Sequence, residues 1–405
     1  MSKTFYIKTL GCQANIADSE AISGVLESLG YEAIKEPSGK NEDEILLKIL
    51  PICDLFIVNS CSVRQKSEDK VYGLGKLLKK ISSMPKPNKK PFVVLAGCMV
   101  GSVTGERQRY AFDILKKKTP WVDVYINPSQ ILSLPEILIQ QGLTPQAVTE
   151  RQKVDKQATD HAYINISTGC DNFCSYCVVP YARGKEVSRD EKELLAKITK
   201  LTQQGFTHIT LCGQNVNSWG LSTSQKFNIR AGSNQKLPFA KLLRNIHEIE
   251  GIKKIDFISS NPFDFTKDLI EAVKLPKISN YLHIAIQSGN NEVLKKMNRR
   301  HTVEEFKELV SSLRSAKPDM ELGTDIIVGF PGETREQFMD TVKLFEEIPF
   351  NVAFISIYSP RKGTTAEKLY PDDVDAKEKK WRHAYLTKVW RKSQKGKTQC
   401  RKLLQ

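Results

Sequence analysis

The 405-residue sequence contains no apolar run near the roughly 20 residues that a membrane-spanning helix needs. It also lacks the charged, apolar and small-residue sectors of a secretory leader, because Met1–Tyr6 passes straight into an alternating strand pattern. These two absences point to the cytoplasm and away from a membrane. Acidic residues are short relative to basic ones: 46 Asp and Glu stand against 61 Lys and Arg, leaving a net charge of +15. Such a balance favours a polyanionic partner, nucleic acid ahead of a membrane surface. The six histidines form no spaced pair, so a mononuclear histidine metal site is not indicated. Disulfides are not expected among the nine cysteines of a cytoplasmic chain, which leaves spacing to decide between core thiols and metal ligands. At 40% hydrophobic and 26% charged residues, the composition excludes global disorder.

What is present is alternation. Residues 1–145 place extended apolar runs at Phe5–Thr9, Leu55–Asn59, Phe92–Ala96 and Val122–Ile126. Helical patterns separate them at Ser19–Leu29, Gln65–Ile81, Thr104–Lys117 and Ile131–Gln140. That rhythm predicts an α/β domain on a parallel sheet. Residues 146–160 are polar and aperiodic, as in a linker. Residues 161–375 resume the rhythm, with strands expected at Ala162–Ser167, His208–Leu211, Lys254–Ile258, Tyr281–Ala285, Glu321–Val328 and Ala353–Tyr358. Helices are expected at Lys192–Gln204, Phe239–Ile249, Val303–Ser315 and Glu336–Glu346, and Ser222–Gln235 reads as an inserted loop. Six βα units suit a full or partial parallel barrel, with its chemistry at the carboxyl ends of the strands. Residues 376–405 carry eleven Lys or Arg against one acid, Glu378, with Trp381, Tyr385 and Trp390 among them. A basic helix through Val389 and then a tail is expected there, suited to RNA phosphates and to stacking.

Two sets of cysteines stand out. Cys170, Cys174 and Cys177 fall within eight residues of one loop after the first strand of the second region. Three thiolates so spaced suit an iron–sulfur cluster, whereas structural zinc usually takes four protein ligands and this loop holds no fourth Cys or His. Cys12, Cys61 and Cys98 each follow a different predicted strand of the first region, which sets all three at the carboxyl edge of one parallel sheet. They form either a second three-thiolate site or three buried core thiols. Gly11 and Gly97, beside two of them, favour a site, because glycine permits close backbone approach. Cys53, Cys212 and Cys400 are expected not to be ligands.

The Cys170-x-x-x-Cys174-x-x-Cys177 loop resembles the hallmark of the radical S-adenosylmethionine (SAM) superfamily. With the second set, the chain resembles the radical SAM methylthiotransferase family over nearly its whole length. The motifs that carry the likeness are Gly11-Cys12-Gln13-Ala14-Asn15 with Asp18-Ser19-Glu20, Asn59-Ser60-Cys61-Ser62-Val63-Arg64, and Pro180-Tyr181-Ala182-Arg183-Gly184 leading into Glu186-Val187-Ser188-Arg189. Gly213-Gln214-Asn215-Val216-Asn217-Ser218, Gln287-Ser288-Gly289, Thr324–Glu333 and Tyr358-Ser359-Pro360-Arg361 add to it. The Cys61-Ser62-Val63-Arg64, Glu186–Arg189 and Gln214–Asn217 stretches look most like the branch that modifies isopentenyladenosine in tRNA. Ala14, where methionine is usual, and the apolar run after Cys98 depart from the family pattern.

The resemblance implies a partial (β/α)6 barrel and two 4Fe–4S clusters, one on Cys170, Cys174 and Cys177 and one on Cys12, Cys61 and Cys98. It implies SAM as cofactor. In the family the first cluster cleaves one SAM to a 5′-deoxyadenosyl radical, the second holds or supplies sulfur, and a second SAM methylates it. Tyr176, Gln214, Asn215, Gln287, Ser288, Ile327 and Gly329 correspond to SAM-side positions. Each also has a plainer structural use as loop packing, a helix cap or a turn. The implied reaction is methylthiolation of C2 of N6-isopentenyladenosine at position 37 of tRNA. Threonylcarbamoyladenosine tRNA or a ribosomal protein is the alternative substrate, and a non-catalytic iron–sulfur RNA-binding protein the alternative of another class. Implied partners are the tRNA anticodon loop and a reducing electron-donor protein, with the sulfur donor left open and the chain acting as a monomer. The TRAM RNA-binding barrel that usually follows the radical core is expected to be absent, since the sequence stops at Gln405, about where it would start.

Overall fold

The computed structural model describes residues 3–83, 90–143 and 160–403. The expected linker, 146–160, lies outside the described residues apart from Asp160. The chain forms two compact units, Met1–Gln157 with Val178–Glu186, and Ala158–Cys177 with Val187–Gln405. A contiguous division of the sequence does not anticipate the return of Val178–Glu186 to the first unit.

In the first unit, β1 (Thr4–Leu10), β2 (Glu32–Ala33), β3 (Leu55–Ser60), β4 (Phe92–Gly97) and β5 (Val124–Ile126) make one sheet in the order β2-β1-β3-β4-β5, every pair parallel. A parallel sheet is covered on both faces, so its central strands read as continuous apolar runs rather than alternating ones. All six residues of β3 are buried. Successive side chains still go to opposite faces. Phe56 and Val58 join the cluster of Val71, Leu78 and Ile81, while Leu55 and Ile57 join that of Ile22 and Leu26. β1, β3 and β4 therefore end together, just before Cys12, Cys61 and Cys98.

Two expected helices differ. The pattern at Thr104–Lys117 is a helix only from Phe112 to Lys118, and an unexpected helix, Cys98–Thr104, precedes it. The unexpected helix stops at Gly105, whose extended backbone breaks the spiral, while the Arg109 N–H donates to the Ser102 carbonyl (2.9 Å) to close the connection. The pattern at Ile131–Gln140 begins as a 3-10 turn, Pro128–Ser133, before the helix Leu134–Gln140. The helix Gln13–Ser28 starts a turn and a half earlier than its apolar spacing indicates, because its first turn holds exposed Gln13 and buried Asn15, whose amide bonds Asn59. The short helix Glu42–Ile49, capped by the Asn41 side chain, was not foreseen.

The second unit contains β6 (His161–Asn165), the antiparallel pair β7 (Ser167–Thr168) and β8 (Val187–Ser188), β9 (His208–Cys212), β10 (Lys254–Phe257), β11 (Tyr281–His283), β12 (Glu321–Val328) and β13 (Val352–Ile357). Parallel pairing runs β6-β9-β10 and β11-β12-β13, and single bridges at Ile255–Ile278 and Ser260–Ile284 carry the surface from one triplet to the other. The six expected strands thus form an open parallel barrel. Its core joins Ile164, Leu211, Ile255, Leu282 and Ile326 to Ile198, Leu243, Leu269, Leu309 and Phe345 of the surrounding helices. The expected loop Ser222–Gln235 contains a helix, Thr223–Asn228, started by a Ser222–Gln225 capping box. The basic segment is one helix, Ala376–Leu403, so no separate tail follows Val389. Leu386 is buried in the barrel core, and the Trp390 indole N–H donates to the Phe350 carbonyl (3.0 Å).

Gly101 shows how closely the returning segment is held. A Cβ there would lie 1.9 Å from the Ala182 carbonyl oxygen. Gly101→Ala is expected to destabilise the first unit by roughly 1–3 kcal/mol through overpacking. This will read as a drop of several degrees in its thermal midpoint, whereas Gly24→Ala, at an open helix position, will cause none.

Candidate active site

At the carboxyl edge of the first sheet, buried amides fix the strand ends. Asn15 Nδ2 donates to Asn59 Oδ1 (3.1 Å) and to the Ser60 carbonyl (3.2 Å), and Asn59 Nδ2 donates back to the Asn15 carbonyl (2.8 Å). Asn15 Oδ1 accepts from the Cys12 N–H (3.3 Å) and lies 3.6 Å from its Sγ. Glycine is required beside this knot. A Cβ on Gly11 would meet Asn15 Oδ1 at 2.2 Å, and one on Gly97, at φ +93°, would meet Asn59 Oδ1 at 2.4 Å. Ser62 Oγ and Ser102 Oγ both donate to the Cys98 carbonyl (3.3 and 2.9 Å). The motif residues around the cysteines are thus the frame that holds them.

The three thiols of the first unit act on one another electrostatically. Cys61 and Cys98 are buried and hydrogen-bonded to each other, Cys12 is exposed, and the charge of Cys12 is felt at Cys61. The bond to Cys98, then burial, pushes the Cys61 thiol up. The bond from Cys61, working with the Arg183 charge against burial, holds Cys98 well below the usual thiol range. Arg183 arrives on the returning segment, where Val179–Ala182 forms one helical turn. Its guanidinium donates to Asp18 Oδ2 at 2.6 Å, with the two side chains 2% and 6% exposed. It also bonds Cys98. Burial works against its charge, but Cys98 and Asp18 outweigh that and raise its pKa.

The second triad lies in the loop after β7. Cys170 is buried, and Cys174 and Cys177 are half-buried. The Cys177 N–H closes a turn on the Cys174 carbonyl (2.9 Å), and Phe173 takes φ +48°. Residues after the helix Asn291–Lys296 grip the loop. The Ser175 N–H donates to the Met297 carbonyl (3.0 Å), Ser175 Oγ to that of Lys296 (2.8 Å), and Asn298 Nδ2 to that of Phe173 (2.9 Å). Arg299 Nη1 donates to Cys174 Sγ at 3.4 Å and Nη2 to the Ala285 carbonyl at 2.6 Å. Burial works against its charge, but Tyr176, Cys174 and Cys170 together raise it. Neither arginine was assigned a role from the sequence. Arg183 was visible only as one letter of a motif, and Arg299 had no signal beyond the Arg299-Arg300 doublet.

Among the described residues, no three His, Cys, Asp or Glu side chains close on a single metal ion. A cubane instead takes a thiolate at each of three separate corners. Three thiols beside a buried guanidinium fit such a cluster in each unit.

Residues 4–126 match the Uncharacterized protein family UPF0004, and residues 164–345 match the Radical SAM superfamily. A tRNA-2-methylthio-N(6)-dimethylallyladenosine synthase from Clostridium tetani is 38% identical over 385 residues, covering 92% of this chain and 78% of that one. One from Thermoanaerobacter pseudethanolicus is 36% identical over 383 residues, covering 92% and 74%. The chain belongs to the radical SAM methylthiotransferase family. Among solved structures, the radical SAM methyltransferase TsrM of Kitasatospora setae superposes with a TM-score of 0.60 at 15% identity, over 91% of this chain and 77% of that one, a likeness of fold. Membership implies a 4Fe–4S cluster and SAM.

The other positions that the family resemblance singled out sit at strand ends of the barrel. Tyr176 packs on the cluster of Val293, Met297, Phe330, Tyr358 and Ala366. Gln287, at φ +79°, takes a bond from the Ile327 N–H (3.0 Å), placing Gln287 and Ser288 beside the end of β12. Ile327 lies in β12 and Gly329 just beyond it at φ +69°, its N–H donating to Glu333 Oε2 (2.7 Å). Gln214 is half-buried after β9. Asn215 is fully buried and both ends of its amide are used, Nδ2 donating to Asp264 (2.8 Å) and Oδ1 accepting from Asn261 (2.8 Å). Cys53 and Cys212 are buried, with their thiols on the Leu55 and Thr210 carbonyls. The side chain of Cys400 lies outside the described residues.

Arg183→Met is expected to strand a buried Asp18 carboxylate and cost about 3–5 kcal/mol. Adding Asp18→Asn removes that charge and will recover part of the loss. Denaturant midpoints of the single and double variants measure this, and equal midpoints for wild type and Arg183→Met would refute the pair.

Proposed function

We propose that this protein methylthiolates C2 of N6-isopentenyladenosine at position 37 of tRNA. The observation that carries the reading is the presence, in one family member, of two separate three-thiol sets, each beside a buried arginine. An aromatic C–H has no useful acidity, so an acid–base pair cannot open it and the chemistry falls to bound groups. Cys170, Cys174 and Cys177 would hold one cluster and Cys12, Cys61 and Cys98 a second. Once bound, these clusters with SAM would supply the hydrogen-abstracting radical, the sulfur and the methyl group.

The chain's own residues bind and orient. Arg299 anchors Cys174 to the Ala285 carbonyl and offsets thiolate charge. Arg183 does the same for Cys98 while pairing with Asp18. In this reading Gln287, Ser288, Ile327 and Gly329 receive SAM along the end of β12, and Tyr176 closes one side as an aromatic wall. Gln214 faces the same mouth. Asn215 acts one step back, fixing the loop after β9 through Asp264 and Asn261. The anticodon loop of tRNA is the partner, an electron-donor protein supplies reducing equivalents, and the chain works as a monomer in the cytoplasm. Among the described residues, no helix is long and apolar enough to cross a membrane.

Anaerobic reconstitution tests the reading. About eight irons per chain are expected, falling to about four when Cys170, Cys174 and Cys177 are changed to Ala and equally when Cys12, Cys61 and Cys98 are. Mass spectrometry of nucleosides from isopentenylated tRNA will show the methylthio product with wild type and with neither variant. A wild type with about four irons that falls to none in the first variant would remove the second cluster and with it the sulfur insertion.

A further inference from the structure

The helix Ala376–Leu403 has two faces of different character. One is spent on the barrel. Leu386 is buried in the core with Val389 and Trp390 packed against it, Arg382 is buried on Glu333 and Glu378, and Lys379 pairs with Asp372. The opposite face carries Lys377, Lys380, Trp381, Tyr385, Lys388, Arg391 and Lys392, all exposed. Steps of three, one, four, three, three and one keep these residues on a single stripe of an α-helix. The stripe runs about 22 Å at 1.5 Å per residue. Its five cations form no ion pair among the described residues, and the helix's one acid, Glu378, is engaged by Arg382 and Arg335. Within the stripe is a layer of flat groups. Trp381 stacks on Tyr385 with centroids 5.0 Å apart at 24°, and the Arg335 guanidinium lies 4.0 Å from the Trp381 ring. Phe338 supports both rings edge-on from below.

From this arrangement we infer that the outer stripe of the helix is a docking surface for the sugar-phosphate backbone of tRNA, with one unpaired base laid on the Trp381–Tyr385 stack. The inference rests on tRNA being the substrate. Cations of a single sign at turn spacing suit a line of phosphates, and exposed flat rings accept a base of any identity. A protein partner is disfavoured because four of the five cations are lysine, which protein interfaces tend to exclude. An anionic bilayer would need the apolar face, and Leu386, Val389 and Trp390 already occupy it against the barrel.

The test is binding of isopentenylated tRNA by fluorescence anisotropy across a salt series, using the reconstituted full chain. The comparison is with Lys377→Gln/Lys380→Gln/Lys388→Gln/Arg391→Gln/Lys392→Gln. Each lost phosphate contact flattens the plot of log affinity against log salt by about 0.7–0.9. The variant is therefore expected to flatten it by roughly 3.5–4.5, and a change below about 2 overturns the surface. Trp381→Leu/Tyr385→Leu is expected to weaken binding about tenfold with the salt slope unchanged. No change in affinity there overturns the base stack. Iron content and thermal midpoint, measured on every variant, separate lost contacts from lost fold. Binding of the wild type to phosphatidylserine vesicles but not to tRNA at the same salt also overturns the proposal. Failure of the substrate reading looks different. A wild type that leaves isopentenylated tRNA unmodified, yet binds it with a slope that the five substitutions flatten, keeps the surface and rejects the reaction.

Discussion

A guanidinium without water must be met by anions, and in the first unit that demand organises the site. Arg183 is met by Asp18 on one side and Cys98 on the other. Asp18 sits on the helix that opens one residue after Cys12, and Cys98 opens the next helix at the site. The buried charge therefore ties together two chain segments that carry thiols and a third, Val178–Glu186, that carries none. Removing two charges from water is costly, and such an arrangement persists only where every partner is in place. Arg299 meets the same demand in the second unit with softer partners, a thiol, a carbonyl and the ring of Phe263.

Both sites use the carboxyl ends of parallel strands, for the reason general to α/β proteins: loops converge there while the apolar strands behind them stay rigid. The local means differ. In the first unit, convergence comes from amides and glycines, with Asn15 and Asn59 exchanging hydrogen bonds and Gly11 and Gly97 making room for them. In the second it comes from one short loop whose spacing already brings its thiols close. This explains why the loop cysteines could be read as a set from adjacent letters, whereas Cys12, Cys61 and Cys98 became a set only after their strands were placed.

Most of the fold was legible because parallel, doubly covered strands write continuous apolar runs. Leu55–Ser60 needed no more than that. The misplaced elements were those governed by something other than apolar period. The helix Cys98–Thr104 is nearly all buried and shows no amphipathic stripe, so no helix was expected there. The helix Thr223–Asn228 is short, polar and held by its cap. The six cysteines could be chosen from residue type and position. Asp18 with Arg183, and Arg299 with Cys174, could not, since their pairings span well over a hundred residues and leave no periodic trace. The plain apolar run after Cys98 likewise acquired meaning only in space, where Gly101 gives passage to the Ala182 backbone.

The route of the chain has a consequence for how such proteins can be divided. The first unit is written in two pieces, and the smaller piece, Val178–Glu186, starts directly after the last cysteine of the barrel loop. A crossover between two relatives at residue 157 would inherit Asp18 from one parent and Arg183 from the other. The two halves of that ion pair would then have separate histories, as would Gly101 and the backbone it admits. Grafting this sheet onto another barrel therefore means carrying across nine residues that lie inside the barrel's own sequence.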